Sequence, residues 1–249
     1  MKPITVSWFS AGVSSAVATW LERERVNRII YTHINDQHED TGRFINDCER
    51  WWGRPVEIIQ SKLETVEAAC MYRQFVSGPG GASCTRMLKR EVRKQWEAQE
   101  SFFNRFRYVW GYDKDEQDRC ANIVDAMPEH EHVFPLVEQG ISKQEAHAVL
   151  KAAGIRRPLM YDLGYPNNNC VGCVKGGAGY WNKIRRDFPE VFAKRAAMER
   201  VIGGSCINGM YLDELDPESG RDLAPIVPEC GAMCEIMTDA RTAAKEAKP

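Results

Sequence analysis

The chain has 249 residues and a formal net charge of −2, with 33 Lys and Arg against 35 Asp and Glu. That balance offers no basic surplus for general nucleic-acid binding, while a hydrophobic fraction of 43% suffices for a sizeable core. No apolar run is long enough to span a bilayer and the opening segment lacks a signal-peptide pattern, so no membrane partner and a cytoplasmic location are expected.

In chain order, residues 3–9 read as a buried strand, followed by a small-residue loop and a helix from Ser14 to about Arg25. A second strand covers 28–34, where the lone His33 is a strand residue rather than a ligand. A helix over 41–52 places Phe44, Ile45, Cys48 and Trp52 on one face; a short strand at 56–59 and a helix over 63–75 follow. The Gly- and Ser-rich stretch 77–83 is a loop, and a basic helix over 85–99 carries Arg86, Lys89, Arg90, Arg93 and Lys94. Then come a strand at 105–110, a helix over 115–127 and a short strand at 132–134. The helix over 142–153 has Ser142 as N-cap, Glu145 at the capping-box position and Gly154 as stop. Beyond residue 160 the texture changes to a stretch rich in Asn, Gly, Tyr and Cys, a helix over 180–201 interrupted near Pro189, and an irregular, charged tail. The expected fold class is α/β, a mainly parallel sheet with helices on both faces. The expected division is a nucleotide-binding domain over 1–160 and a Cys-containing region over 161–249 packed on it.

In such a sheet the ligand crevice lies beyond the carboxyl ends of the strands. The first loop there, Ser10-Ala11-Gly12-Val13-Ser14-Ser15, runs from a strand into a helix, and its small residues let backbone approach an anion at the helix N-terminus. It has no lysine and is not a Walker A loop. The bland alternative is a helix N-cap in a tight turn. The loop after the second strand, Asn35 to Thr41, includes Asp36, and reads equally as a solvated loop capped by Asp40 or Thr41. The loop after the fourth strand opens at Gly111 and places Glu116 and Arg119 one turn apart, as a phosphate-facing arginine or a plain i,i+3 ion pair.

Nine cysteines in a reducing compartment point to metal or redox chemistry more than to disulfides. The strongest signal is Cys170-Val171-Gly172-Cys173, whose polar flanks, Asn167-Asn168-Asn169 and Lys175-Gly176-Gly177, suggest a flexible loop. Cys48, Cys70, Cys120 and Cys206 read as small buried hydrophobes.

Together these loops resemble those of the pyrophosphate-loop family, which includes the N-type ATP pyrophosphatases and the PAPS reductases. The first loop is similar to that family's Ser-Gly-Gly-x-x-Ser, with Ala11 in place of the first glycine and Ser14 where many ATP-splitting members carry aspartate. Asn35–Thr41 and Gly111–Arg119 resemble the family's second and third crevice loops, and Pro135-Leu136, Pro158–Tyr161 and the helix from Tyr180 extend the likeness over residues 4–192. It is strongest for the PAPS-reductase-like proteins of phages and mobile elements. The resemblance implies the adenine nucleotide alpha-hydrolase-like fold. It implies that ATP or a related adenine nucleotide, with or without magnesium, contacts Ser10, Ala11, Gly12, Val13, Ser14, Ser15, Asp36, Gly111 and Glu116, with Lys89 and Arg119 in catalytic roles.

Iron–sulfur members of that family carry Cys-Cys before a basic helix; this chain has Ser83-Cys84. The resemblance therefore implies a 4Fe-4S iron-sulfur cluster on Cys84, Cys170, Cys173 and one of Cys230 or Cys234, with zinc on the same residues as the alternative and a redox Cys-x-x-Cys as the third reading. Glu229-Cys230-Gly231 matches part of the reductases' C-terminal motif, which would make Cys230 a nucleophile. Three functions follow: ATP-dependent adenylation coupled to sulfur transfer; a true sulfonucleotide (PAPS/APS) reductase using Cys230; or a non-catalytic nucleotide-binding protein. A sulfur donor protein or thioredoxin-like reductant is the implied partner. A tRNA or DNA acceptor stays open, without support from the net charge.

Overall fold

In a computed structural model, the structure describes residues 3–78, 80–100, 105–207 and 209–220. The first strand, β1 (Ile4–Phe9), leads into α1 (Val13–Glu22), β2 (Arg28–His33), α2 (Asp40–Trp52), β3 (Glu57–Gln60) and α3 (Val66–Arg73). A small antiparallel hairpin, β4 (Ser77–Gly78) and β5 (Gly81–Ala82), stands where a plain loop is expected. The basic helix is not uniform: α4 (Ser83–Thr85) passes through a π-helical turn (Arg86–Arg90) into α5 (Glu91–Glu100). Next come β6 (Phe106–Val109), α6 (Gln117–Ala126), β7 (Glu131–Val133), α7 (Pro135–Glu138) and α8 (Lys143–Ala152). The chain continues through α9 (Leu159–Asp162), α10 (Ala178–Asp187) and α11 (Pro189–Ile202). The capping box at Ser142 and Glu145 forms as expected. No described helix is long and apolar enough to cross a membrane.

The main sheet is fully parallel, in the order β3-β2-β1-β6-β7. Its central strands β1, β2 and β6 are buried on both faces, as a parallel sheet between helix layers requires, whereas the edge strand β3 has no buried residue and β7 buries only Val133. On β1, Phe9 joins the apolar layer under α1, α2 and α8, while Val6 and Trp8 join the layer under α5 and α6. Ser7 shares the α1 side: its hydroxyl meets that of Thr19 at 2.7 Å, which itself donates to the Ser15 carbonyl at 2.8 Å. A third apolar cluster joins α3, Cys84 and Leu88 to Tyr180, Trp181, Ile184 and Met198. The region beyond residue 160 thus shares its core with elements of the first hundred residues.

Asp40 fastens the segment before α9 to the start of α2. It accepts from Arg43 twice at 2.7 Å, from the Leu159 N–H at 2.8 Å and from Arg156 at 3.1 Å. The Arg43 hydrogen bonds lead in holding its carboxyl down, from an ordinary 3.8 to about 2. A carboxylate lowered in this way adds stability above its ordinary pKa and loses it as pH falls through the lowered one. We expect Asp40→Asn to cost about 1 kcal/mol near neutral pH, in the range of partly exposed ion pairs. Denaturant titrations of both proteins should show the gap closing as pH falls from 3.8 to about 2; a gap that ignores pH would contradict the assignment.

Candidate nucleotide crevice and thiol cavity

From β1 the chain winds outward through β2 to β3, whereas from β6 it winds the other way to β7. The loops after β1 and β6 therefore part at the sheet's switch point, the usual place for a ligand crevice. The loop after β6 also packs directly on the loop after β1. A Cβ placed on Gly111 would lie 2.3 Å from Ser15 Cα and 2.5 Å from Ser15 N, so only glycine fits there.

Ala11 takes a left-handed φ of 57°, a conformation that glycine adopts without the cost a side chain brings. Gly12 is extended and precedes the first turn of α1. Ser15 Oγ lies 2.9 Å from Ser10 Oγ, accepts from the Ser10 N–H at 3.2 Å and donates to the Gly12 carbonyl at 3.0 Å. Two residues from beyond position 160 close the loop. The Tyr161 hydroxyl accepts from the Val13 N–H at 3.4 Å, and the Asn168 amide donates to the Ala11 carbonyl at 2.9 Å. Residues 11–15 are consequently buried and Ser10 is half-buried. The buried Ser14 hydroxyl has no hydrogen-bond partner among the described residues.

The second loop serves a different neighbour. Asp36 pairs with Arg195 of α11 through one oxygen and accepts from the Val66 N–H at 2.7 Å through the other. Burial pushes the Arg195 guanidinium toward losing its proton, and the Asp36 carboxylate outweighs that. On the third loop Glu116 and Arg119 form the expected ion pair, and the guanidinium lies 4.5 Å from the centre of the Tyr112 ring.

Beyond the carboxyl ends of β1 and β2 is a cleft lined by Trp8, Phe9, Ser10, Thr32 and Lys89. The buried Trp8 indole N–H has no partner among the described residues. A second cavity is lined by Cys84, Thr85, Lys89, Cys170 and Cys173, with aliphatic neighbours including Val66. Lys89, only 7% exposed, lines both. The π-helical turn that carries it is a deviation often found at functional sites. Ser83, next to Cys84, donates to the Phe75 carbonyl at 2.6 Å.

The Cys-x-x-Cys turn is held from three sides. The Tyr180 hydroxyl accepts from the Cys173 N–H at 2.8 Å and faces the Cys170 carbonyl at 3.4 Å. The Val171 N–H reaches the Asp36 carbonyl at 2.8 Å, and Arg195 Nε reaches the Gly172 carbonyl at 3.3 Å. Gly172 has a φ of +71°, and a Cβ there would meet Val191 at 2.6 Å. The flanking Asn167–Asn169 are buried, correcting the expectation of a flexible polar loop: the Asn168 amide donates inward to the Ser10–Ser15 loop and the Asn167 amide oxygen accepts from Lys143. The seven described cysteines are buried and unbridged. Cys70 lies near Cys84, and burial pushes its thiol up to about 12. Among the described residues, no three His, Cys, Asp or Glu side chains are disposed around a single metal ion. Cys230 and Cys234 lie outside the described residues.

Sequence reasoning brought Ser10–Ser15, Gly111, Lys89 and the three cysteines to this end of the sheet, but missed Tyr161, Asn168, Tyr180, Arg195 and Thr85. The asparagine run before Cys170 was a usable signal for Asn168, and Tyr180 stands a short step beyond the paired cysteines. Arg195 gives no such sign among the other charges of α11.

No family model matches the chain, and no curated protein matches it.

The packing of Gly111 on Ser15 makes a test of the crevice's architecture. Gly111→Ala should cost about 1–3 kcal/mol, the usual range for overpacking against a rigid neighbour. Chemical denaturation measures it, and a cost near zero would mean that the two loops do not touch.

Proposed function

We propose that this chain is a PAPS reductase-like adenine-nucleotide-binding enzyme that adenylates an acceptor with ATP and couples that step to sulfur transfer. The observation that carries the reading is Lys89, which lines both the cleft beside Ser10 and the cavity of Cys84, Cys170 and Cys173. A buried cation reaching both places suits chemistry that begins on a phosphate and ends on a sulfur.

In this reading the N-terminus of α1 and the Ser10–Ser15 loop hold the phosphates. The long 3.4 Å contact from Val13 to Tyr161 is one that a phosphate oxygen would replace. Ser14 supplies a buried hydroxyl with no other claim on it among the described residues. An acceptor oxygen attacks the α-phosphorus, the α–β phosphoanhydride bond breaks, and pyrophosphate leaves with its electron pair. Lys89 offsets the developing negative charge. Arg119 has a smaller part, because Glu116 already engages it. A sulfur nucleophile then attacks the acceptor carbon, and AMP departs with the former acceptor oxygen.

The donor chemistry around the second cavity fits an iron–sulfur cluster: three thiols line one space, and Cys230 or Cys234 is available in sequence for the fourth position. When bound, such a cluster would supply a site for holding or delivering sulfur.

Calorimetric titration with ATP should show binding to the anaerobically purified protein. Lys89→Met should weaken it by about tenfold or more, which corresponds to about 1.4 kcal/mol. An intact, folded wild-type protein that binds no ATP would overturn the reading.

A further inference from the structure

Thr85 is a buried threonine whose hydroxyl has lost its ordinary outlet. A helical threonine commonly donates to the carbonyl four residues back. For Thr85 that residue is Gly81, which lies in β5, ahead of the helix. The side chain is only 1% exposed, and Oγ1 has no hydrogen-bond partner among the described residues. An unsatisfied buried hydroxyl is destabilising, and valine would fill nearly the same volume without that cost.

The cavity that Thr85 lines limits what could accept its hydrogen bond. The other side chains around that cavity are aliphatic, apart from Lys89, itself a donor, and the three cysteines. Sulfur is therefore the only side-chain acceptor that this lining offers. Thr85 directly follows Cys84 and shares its side of the chain with Lys89, so backbone already fixed by the thiol site holds the hydroxyl there.

We infer that the Thr85 hydroxyl is a hydrogen-bond donor to sulfur held in this cavity, and that it tunes the redox poise of the centre to which that sulfur belongs. The inference rests on the proposal that Cys84, Cys170 and Cys173 hold an iron–sulfur cluster. Thr85 is a positioning residue here, since it acts through sulfur rather than on substrate. When the cluster takes one electron its sulfurs become more negative, and a hydrogen bond to one of them stabilises the reduced form more than the oxidised form. Losing the bond should make the cluster harder to reduce.

The test uses the full chain, reconstituted anaerobically with iron and sulfide, as wild type, Thr85→Val and Thr85→Ser. Iron and sulfide analysis comes first, followed by a dithionite titration read by visible absorption and electron paramagnetic resonance. All three proteins should carry the same iron. Thr85→Val should have a more negative midpoint potential, and Thr85→Ser should restore the wild-type value. Without the cluster, Thr85→Val should melt no lower than wild type, because it loses only an unsatisfied hydroxyl. Full iron loading with an unmoved potential would overturn the inference and leave the cluster standing. A lower melting temperature in cluster-free Thr85→Val, absent in Thr85→Ser, would overturn it by showing that the hydroxyl serves the fold. A wild-type protein that takes up no iron would overturn the cluster and the inference together.

Discussion

The molecule depends on how closely α1 approaches the centre of the sheet. Its inward face is built of Ser15, Ala16 and Thr19, small enough for Thr19 to reach Ser7 on β1 and for Gly111 to rest on the backbone of Ser15. A larger side chain at any of these places would lift the helix and open the junction. Because the helix sits low, its N-terminus and the Ser10–Ser15 loop are pinned between the two central strands. The crevice is thus a consequence of packing: small residues bring the helix dipole and its first N–H groups to the switch point, where an anion can use them.

The same closeness ties the Ser10–Ser15 loop to the cysteines. Asn168, which holds the Ala11 carbonyl, stands two residues before Cys170. On the other side of the Cys-x-x-Cys turn, Asp36 joins Arg195, the start of α3 and the backbone of Val171. A buried ion pair of this kind contributes little net stability against an apolar replacement, but losing one partner costs about 3–5 kcal/mol because the other charge stays buried. Its value here is geometric. It sets the second loop, α3 and α11 in one arrangement around the cysteines, so the loops after β1 and β2 both bear on the thiol cavity.

Much of this was legible in the sequence. Each main-sheet strand and the long helices follow from runs of apolar residues and their period, and the loop sequences point to the right end of the sheet. The hairpin at 77–82 was hidden because its two-residue strands carry no alternating pattern. The π-helical turn was hidden because Arg86–Arg90 has ordinary helical composition. Asp36 shows the limit most clearly. Its place after β2 suggests a ligand contact, yet its partner, Arg195, is far along the chain and becomes its neighbour only when α11 packs on α3. Asn167–Asn169 mislead for a related reason. Asparagines read as solvated loop, but a backbone carbonyl left open by the tight turn at Ala11 gives a buried amide something to bond.

The π-helical turn joins the cleft beside Ser10 to the thiol cavity. In a regular helix the register after Cys84 would be set by the apolar contacts of α5 alone. Across the wide turn Leu88 and Trp96 take places in two different apolar clusters while Thr85 and Lys89 both stay inside. Side chains of that polarity gain nothing from an apolar core for its own sake. A backbone that departs from the regular form and keeps a threonine and a lysine buried beside three thiols is better understood as serving the contents of the cavity than the stability of the helix. That is why the proposed function leans on Lys89 and Thr85 more than on the loop likeness: a tight turn alone would account for the loop, whereas a buried lysine and a buried threonine hydroxyl beside three thiols suit a bound group.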